Sequence, residues 1–205
     1  MRKLLLGIFL TVTLMADAQE LPKAYNQLIK EVEAPMIQWR RHFHEFPELS
    51  NRETNTGKYI ADFLKTLPNV EVRYPVAKTG VVAVLKGGKP GATIALRADI
   101  DALPVYERTP VPFASKVTTE FNGQKVNVMH ACGHDSHTAM LMATAKVLST
   151  LQKDLPGTVV FLFQPAEEGP PANEEGGAPL MIKEGALDNP KVEAVFGIHI
   201  SSQTP

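Results

Sequence analysis

Thr158-Val-Val-Phe-Leu-Phe163 is a continuous apolar run of strand length, followed at once by Gln164-Pro-Ala-Glu167-Glu168-Gly169. A run this short, rich in β-branched and aromatic residues, suits a strand buried on both faces at the centre of a sheet. The residues on either side extend that reading. Before it, a helix begins near Gly133, with Met140, Leu141, Thr144, Val147, Leu148 and Leu151 on its inner face. After it come a Gly-rich loop, a short helix near Pro179 to Glu184, and a final strand Ala194-Val-Phe-Gly-Ile-His199.

Further upstream, Thr93-Ile-Ala-Leu-Arg-Ala98 reads as another apolar strand, Gly80 to Leu85 as a third, and Val70 to Tyr74 alternates as a fourth. Residues Tyr106 to Asn127 read as a long loop with short extended pieces. Two helices open the domain. Leu21 to about Phe46 carries an apolar face at Leu28, Val32, Met36 and Trp39, with Pro35 as a point of kinking or splitting. Glu53 to Leu67 buries Tyr59, Ile60, Phe63, Leu64 and Leu67. Strands interleaved with helices predict an α/β fold, a mixed, largely parallel sheet sandwiched by helices.

The 44% hydrophobic and 21% charged content is that of a globular protein, and a net charge of -1 argues against nucleic acid as a partner. The N-terminus differs from the rest. Arg2 and Lys3, the apolar run Leu4 to Met15 and Ala16-Asp-Ala18 have the three parts of an export signal. Cleavage after Ala18 predicts a periplasmic or extracellular protein with no membrane attachment after processing. In an oxidising compartment the single cysteine, Cys132, has no intrachain partner. It is then either buried and inert or held by something such as a metal.

Three strands run into residues that can do chemistry: Asp99-Ile-Asp101 after the Thr93 strand, Glu167-Glu168 after the Thr158 strand, and His199 after the last. In open α/β sheets, ligands bind at the carboxyl ends of the strands, so these groups can converge there. The segment His130-Ala-Cys-Gly-His134, with His137 one turn on, precedes a helix that could face the same rim. Thiolate, imidazole and carboxylate together suit zinc, and also manganese, cobalt or nickel. Paired metals about 3.5–4 Å apart need a bridging anion, and Cys132 can supply one. On extended backbone Glu167 and Glu168 point to opposite sides, so one could ligate metal while the other acts as general base on a water. Taken singly, these residues have blander readings: a buried small cysteine, a solvated pair of glutamates, and His42 and His44 at a polar helix end. A thiol hydrolase with Cys132 as nucleophile and His134 or His137 as base is a rival, but it gives Glu167-Glu168 no role.

The segments Trp39-Arg-Arg-His-Phe-His-Glu-Phe-Pro-Glu48, Arg97-Ala-Asp-Ile-Asp-Ala-Leu-Pro104, His130-Ala-Cys-Gly-His-Asp-Ser-His-Thr138, Phe163-Gln-Pro-Ala-Glu-Glu-Gly169 and Gly197-Ile-His199 occur in this order. Together they resemble the M20 metallopeptidase family, in its amidohydrolase branch of hippurate hydrolases, N-acyl-amino-acid deacylases and auxin-conjugate hydrolases, over about residues 28–201. The resemblance implies a zinc-exopeptidase-like domain with two divalent metal ions held by Cys132, His134, Glu168 and His199, Cys132 bridging. It implies Glu167 as general base and Asp101 as the acid that supports the site. Asp99 stands where many family members have a ligand His, and His130 and His137 stand behind the ligands. The implied reaction is hydrolysis of the amide bond of N-acyl amino acids or peptide-like small molecules. The alternatives are a dipeptidase or carboxypeptidase of the same family, or a non-catalytic metal-binding fragment or pseudoenzyme. The family carries a further ligand His near its C-terminus and a lid or dimerisation domain inserted after the strand that matches Ala194–His199. By this reading residues 1–18 are a signal peptide and 19–205 are the N-terminal part of the catalytic domain, with an apolar sheet edge left uncovered. A homodimer then belongs to a full-length form.

Overall fold

The computed structural model describes residues 23–201. The export signal expected over 1–18 and the first residues of the expected opening helix lie outside them. The elements are α1 (Lys23–Glu45), α2 (Thr54–Lys65), β1 (Val70–Val76), β2 (Gly80–Lys86), β3 (Lys89–Asp99), β4 (Thr118–Phe121), β5 (Gln124–Asn127), α3 (His134–Thr150), β6 (Pro156–Gln164), α4 (Gly177–Lys183) and β7 (Ala194–Gly197). A five-stranded sheet has the order β1-β2-β6-β3-β7, and β4-β5 form a separate hairpin within the expected long loop. Strands β6, β3 and β7 pair in parallel, while β2 runs antiparallel to both β1 and β6. β2 alone therefore opposes the common direction, which is the mixed, largely parallel sheet expected.

The Thr158 strand lies between β2 and β3, with its last six residues all buried. Its period-two alternation feeds two cores. Val159, Phe161 and Phe163 pack with Phe43 of α1, Ile60 and Leu64 of α2, and Leu141, Met142 and Ala145 of α3. Val160 and Leu162 face the other way, onto Val82, Ala95 and Met181 of α4. Each such large apolar side chain contributes about 1.5–3 kcal/mol by leaving water. The result is three layers, with α1, α2 and α3 on one face and α4 on the other.

Several local expectations shift. α1 runs unbroken through Pro35, with Val32 and Phe43 buried on its core side and Trp39 partly so. On α3 the stripe turns toward Leu141, Met142 and Ala145, and Met140 and Thr144 are only half-buried. Tyr59 of α2 is exposed and stacks on His42 at 4.5 Å between ring centroids. The last strand stops at Gly197 rather than His199 and forms the sheet's edge, with Val195, Phe196, Ile198 and Ile200 all exposed, as the expected uncovered apolar edge. Its apolar character could not by itself tell a central from an edge position. Among the described residues no helix is long and apolar enough to cross a membrane.

Candidate metal centre

Parallel pairing sets Asp99 beside Gln164 and Arg97 beside Gly197, so β3, β6 and β7 deliver their following residues to one rim. Beyond Gln164, Pro165 cannot continue the ladder and Ala166 takes φ +49, so the chain turns and presents Glu167 and Glu168 there. α3 begins at the same rim. Gly133, between Cys132 and His134, has φ +96, and a Cβ on it would lie 2.2 Å from Ile200 Cδ1. This irregular step between two ligand-type residues lets both side chains reach one place.

They do so around a single atom. His134 is fully buried, and its Nδ1 donates to the Asp101 carbonyl at 2.8 Å, with Asp101 Oδ1 at 3.3 Å. Its Nε2 is buried with no hydrogen-bond partner among the described residues. Glu167 Oε2 lies 3.6 Å from that nitrogen, and Glu168 Oε1 and Asp99 Oδ2 lie 3.9 Å from it. His199 is built alike. Its Nδ1 donates to the Ile200 carbonyl at 2.7 Å, leaving Nε2 to face Cys132 Sγ at 3.4 Å. Anchoring the distal N–H on a carbonyl is how proteins fix an imidazole's tautomer and turn its other lone pair toward a metal.

Three sets of side chains bring their ligand atoms within 4.8 Å of one another: Cys132, His134 and His199; His134, Glu167 and Glu168; and Asp99, His134 and His137. All three share His134, so they describe one cluster. Asp99 and His137 thus come as close as the expected ligands do. Their other contacts separate them: Asp99 forms an ion pair with Arg97 at 2.5 Å, and His137 Nε2 accepts the Ile200 amide at 3.0 Å. That bond makes His137 a holder of the segment carrying His199. A soft cysteine sulfur, two imidazoles whose Nε2 atoms turn into the cluster and flanking carboxylates form a donor set that fits divalent metal.

The electrostatics agree with a cation. Burial opposes charge on His134, but the Asp101 bonds and neighbouring carboxylates outweigh it and hold the ring's pKa up at about 9. Burial, the Glu168 contact and the other carboxylates push the Cys132 thiol up to about 11. These surroundings oppose a free thiolate and favour one neutralised by a positive ion. Cys132 contacts His199 rather than His134 or His137, so neither base expected for a thiol hydrolase is its partner. Burial raises Asp99 to about 6 against the pull of Arg97. Burial also lowers His130 to about 4, and both its ring nitrogens are buried without partners among the described residues.

Other participants gave no local sign of their partners in the sequence. His44, expected at a polar helix end, is instead buried, with Nδ1 3.0 Å from Asp135 and Nε2 2.8 Å from Glu107. Those two acids, the Asp135 hydrogen bond foremost, raise its pKa. Asp135 in turn accepts from Arg40 at 2.9 Å, tying α1 to the start of α3. Ser50 donates to Asp101 at 2.7 Å. Glu53 is fully buried, accepts from Thr79 at 2.7 Å, and has its pKa raised by burial to about 7. A 580 Å³ cavity beside Glu167 is bordered by Arg97, Gln164 and the 174–180 segment, and one of 540 Å³ beside Cys132 and His199 by Phe113, Val111 and His130.

Residues 95–205 match the peptidase family M20/M25/M40. The chain is 44% identical over 177 residues to an N-acyl-L-amino acid amidohydrolase of Geobacillus stearothermophilus, covering 86% of this chain and 44% of that one. It is 47% identical over 178 residues to thermostable carboxypeptidase 1 of Saccharolobus solfataricus, covering 86% and 42%. Among solved structures, the YXEP protein of Bacillus subtilis, described as a dinuclear metal binding peptidase from the M20 family, superposes with a TM-score of 0.73. It shares 44% identity, over 86% of this chain and 45% of that one. The chain thus spans less than half the length of these relatives.

Proposed function

The chain belongs to peptidase family M20/M25/M40, and from that premise we propose that it carries a two-metal site for hydrolysing the amide bond of N-acyl amino acids. The observation that carries this reading is a pair of inward-turned imidazole nitrogens beside a carboxylate. His134 and His199 each have Nδ1 anchored on a carbonyl and Nε2 turned to the cluster, and the Glu167 carboxylate stands 3.6 Å from His134 Nε2. Cys132, His134, Glu168 and His199 would hold the ions. When bound, the ions supply Lewis acidity, acidifying a water and polarising the scissile carbonyl. The chain's own residues do the rest. Glu167, at the exposed side of the cluster, takes the proton of the attacking water and delivers it to the leaving amine. Asp101 holds His134 through Nδ1, and His137 holds the backbone next to His199.

The substrate class rests on the amidohydrolase relative, and a carboxypeptidase relative of similar identity keeps peptide cleavage as the second reading. Assaying the purified chain with N-acetyl amino acids and with dipeptides separates the two. Activity that vanishes on chelation and returns with zinc, manganese, cobalt or nickel is the expected result. Hydrolysis indifferent to a chelator would count against the metal reading. Residues 1–18 as an export signal and residues 19–205 as part of a catalytic domain belong to the same proposal. Sequencing the mature N-terminus tests the first, with Gln19 as the expected first residue.

A further inference from the structure

Two buried carboxylates grip the backbone on either side of Glu167. Glu53 Oε1 accepts the Ala166 amide at 2.8 Å, and Asp101 Oδ2 accepts the Glu168 amide at 3.0 Å. Both acids are almost wholly inaccessible, at 0% and 1% exposure. Each is steered by a hydroxyl: Thr79 donates to Glu53 and Ser50 to Asp101, both at 2.7 Å.

Glu53 sits at the N-cap position of α2, where a short polar side chain ordinarily bonds the first-turn amides, and it makes no such bond. Glu48 has taken that role. Its carboxylate accepts the amides of Asn55 at 3.2 Å and Thr56 at 2.8 Å, and the side chains of both as well. Glu53 is thereby free to turn inward, at the cost of desolvating a carboxyl group. Something must need it there. Strand β6 has ended at Gln164, Pro165 offers no N–H, and Ala166 at φ +49 has left the ladder. Without Glu53 the buried Ala166 amide loses its partner and the segment loses one of its two ties.

We propose that Glu53 is a positioning residue for the general base: with Asp101 it pins the amides of residues 166 and 168 and so fixes Glu167 between them. The role of Glu167 rests on the function proposed above; the pinning does not. The experiment compares wild type, Glu53→Ala, Glu53→Gln and Thr79→Val by amide hydrogen exchange and by kcat and KM on N-acetyl amino acids. Glu53→Ala is expected to speed exchange at Ala166 by about tenfold or more, while Phe161 in β6 keeps its protection. Its kcat should fall on the order of ten- to a hundredfold, as for a small misplacement of a reacting group, with KM within about twofold. Glu53→Gln should recover kcat to within roughly threefold, since its amide oxygen can accept from Ala166 and its NH2 can donate to Thr79. Unchanged exchange at Ala166, or a rise shared equally by Phe161, would overturn the proposal. If Glu53→Ala does not fold, Thr79→Val decides. It removes only the hydroxyl that steers the carboxylate, so faster exchange confined to Ala166 supports the pinning and unchanged exchange overturns it. If wild type turns over no N-acetyl amino acid, the functional reading fails, and the exchange contrast between Ala166 and Phe161 still judges the pinning.

Discussion

Replacing Glu53 with Gln changes how stability depends on pH. Burial moves the carboxyl from its ordinary 4.5 to about 7 in the folded chain, against the opposing hydrogen bonds from Thr79 and Ala166. Between those two values the folded chain keeps a proton that the unfolded chain has released. Stability therefore falls as pH rises through that window, and the contribution is fully lost above about pH 7. At about 1.36 kcal/mol for each tenfold in proton affinity, the swing is about 3 kcal/mol. A Gln is neutral throughout and removes the swing. Trp39 is the only tryptophan and packs against Phe63 at 4.7 Å, so its fluorescence reports unfolding of the main core. Urea melts from pH 4.5 to 8 should show wild type and Glu53→Gln diverging, with the variant gaining about 3 kcal/mol by pH 8. In a chain of this size that is roughly 6–12 °C in Tm. Parallel pH curves for the two proteins would refute the reasoning.

Two further perturbations act on the site directly. Glu167→Gln removes the base but none of the proposed ligands, so kcat should drop by about 10²–10⁴ while metal content, measured by elemental analysis, stays that of wild type. Gly133→Ala forces a side chain into φ +96 with its Cβ against Ile200. The left-handed conformation alone costs about 1–2 kcal/mol, so calorimetry should show a lowered Tm. Metal affinity should fall as well, because the step between Cys132 and His134 is disturbed.

The sequence was most legible where burial alone decides structure. An unbroken apolar run such as Thr158–Phe163 has few places to go but the sheet centre, and β6 is there. Parallel strands ending in Asp99, Glu167-Glu168 and His199 implied a common rim, which the register provides. For β7 composition alone does not decide burial, since an apolar edge strand and an apolar central strand look alike; its uncovered edge was implied only by the family resemblance. Long-range polar partners were invisible for another reason. His44 meets Asp135 91 residues away and Glu107 63 away, while Glu53 meets Ala166 across 113. Read locally, a histidine near a helix end and a glutamate at a helix start suggest solvent and capping. Only the fold reveals that Glu48 does the capping and that Glu53 is left for the loop that carries Glu167. The ring tautomers likewise depend on the Asp101 and Ile200 carbonyls, which no spacing rule encodes.

Whether Cys132 and its neighbours form a metal centre is tested most directly by cobalt binding followed by absorption spectroscopy. Titrating the metal-free protein with Co²⁺ should raise a sulfur-to-metal charge-transfer band that saturates at two ions per chain. The band should disappear in Cys132→Ser, and saturating metal should protect Cys132 from alkylation in the wild type. A protein that takes up Co²⁺ without that band, or whose Cys132 alkylates equally fast with and without metal, would contradict the account.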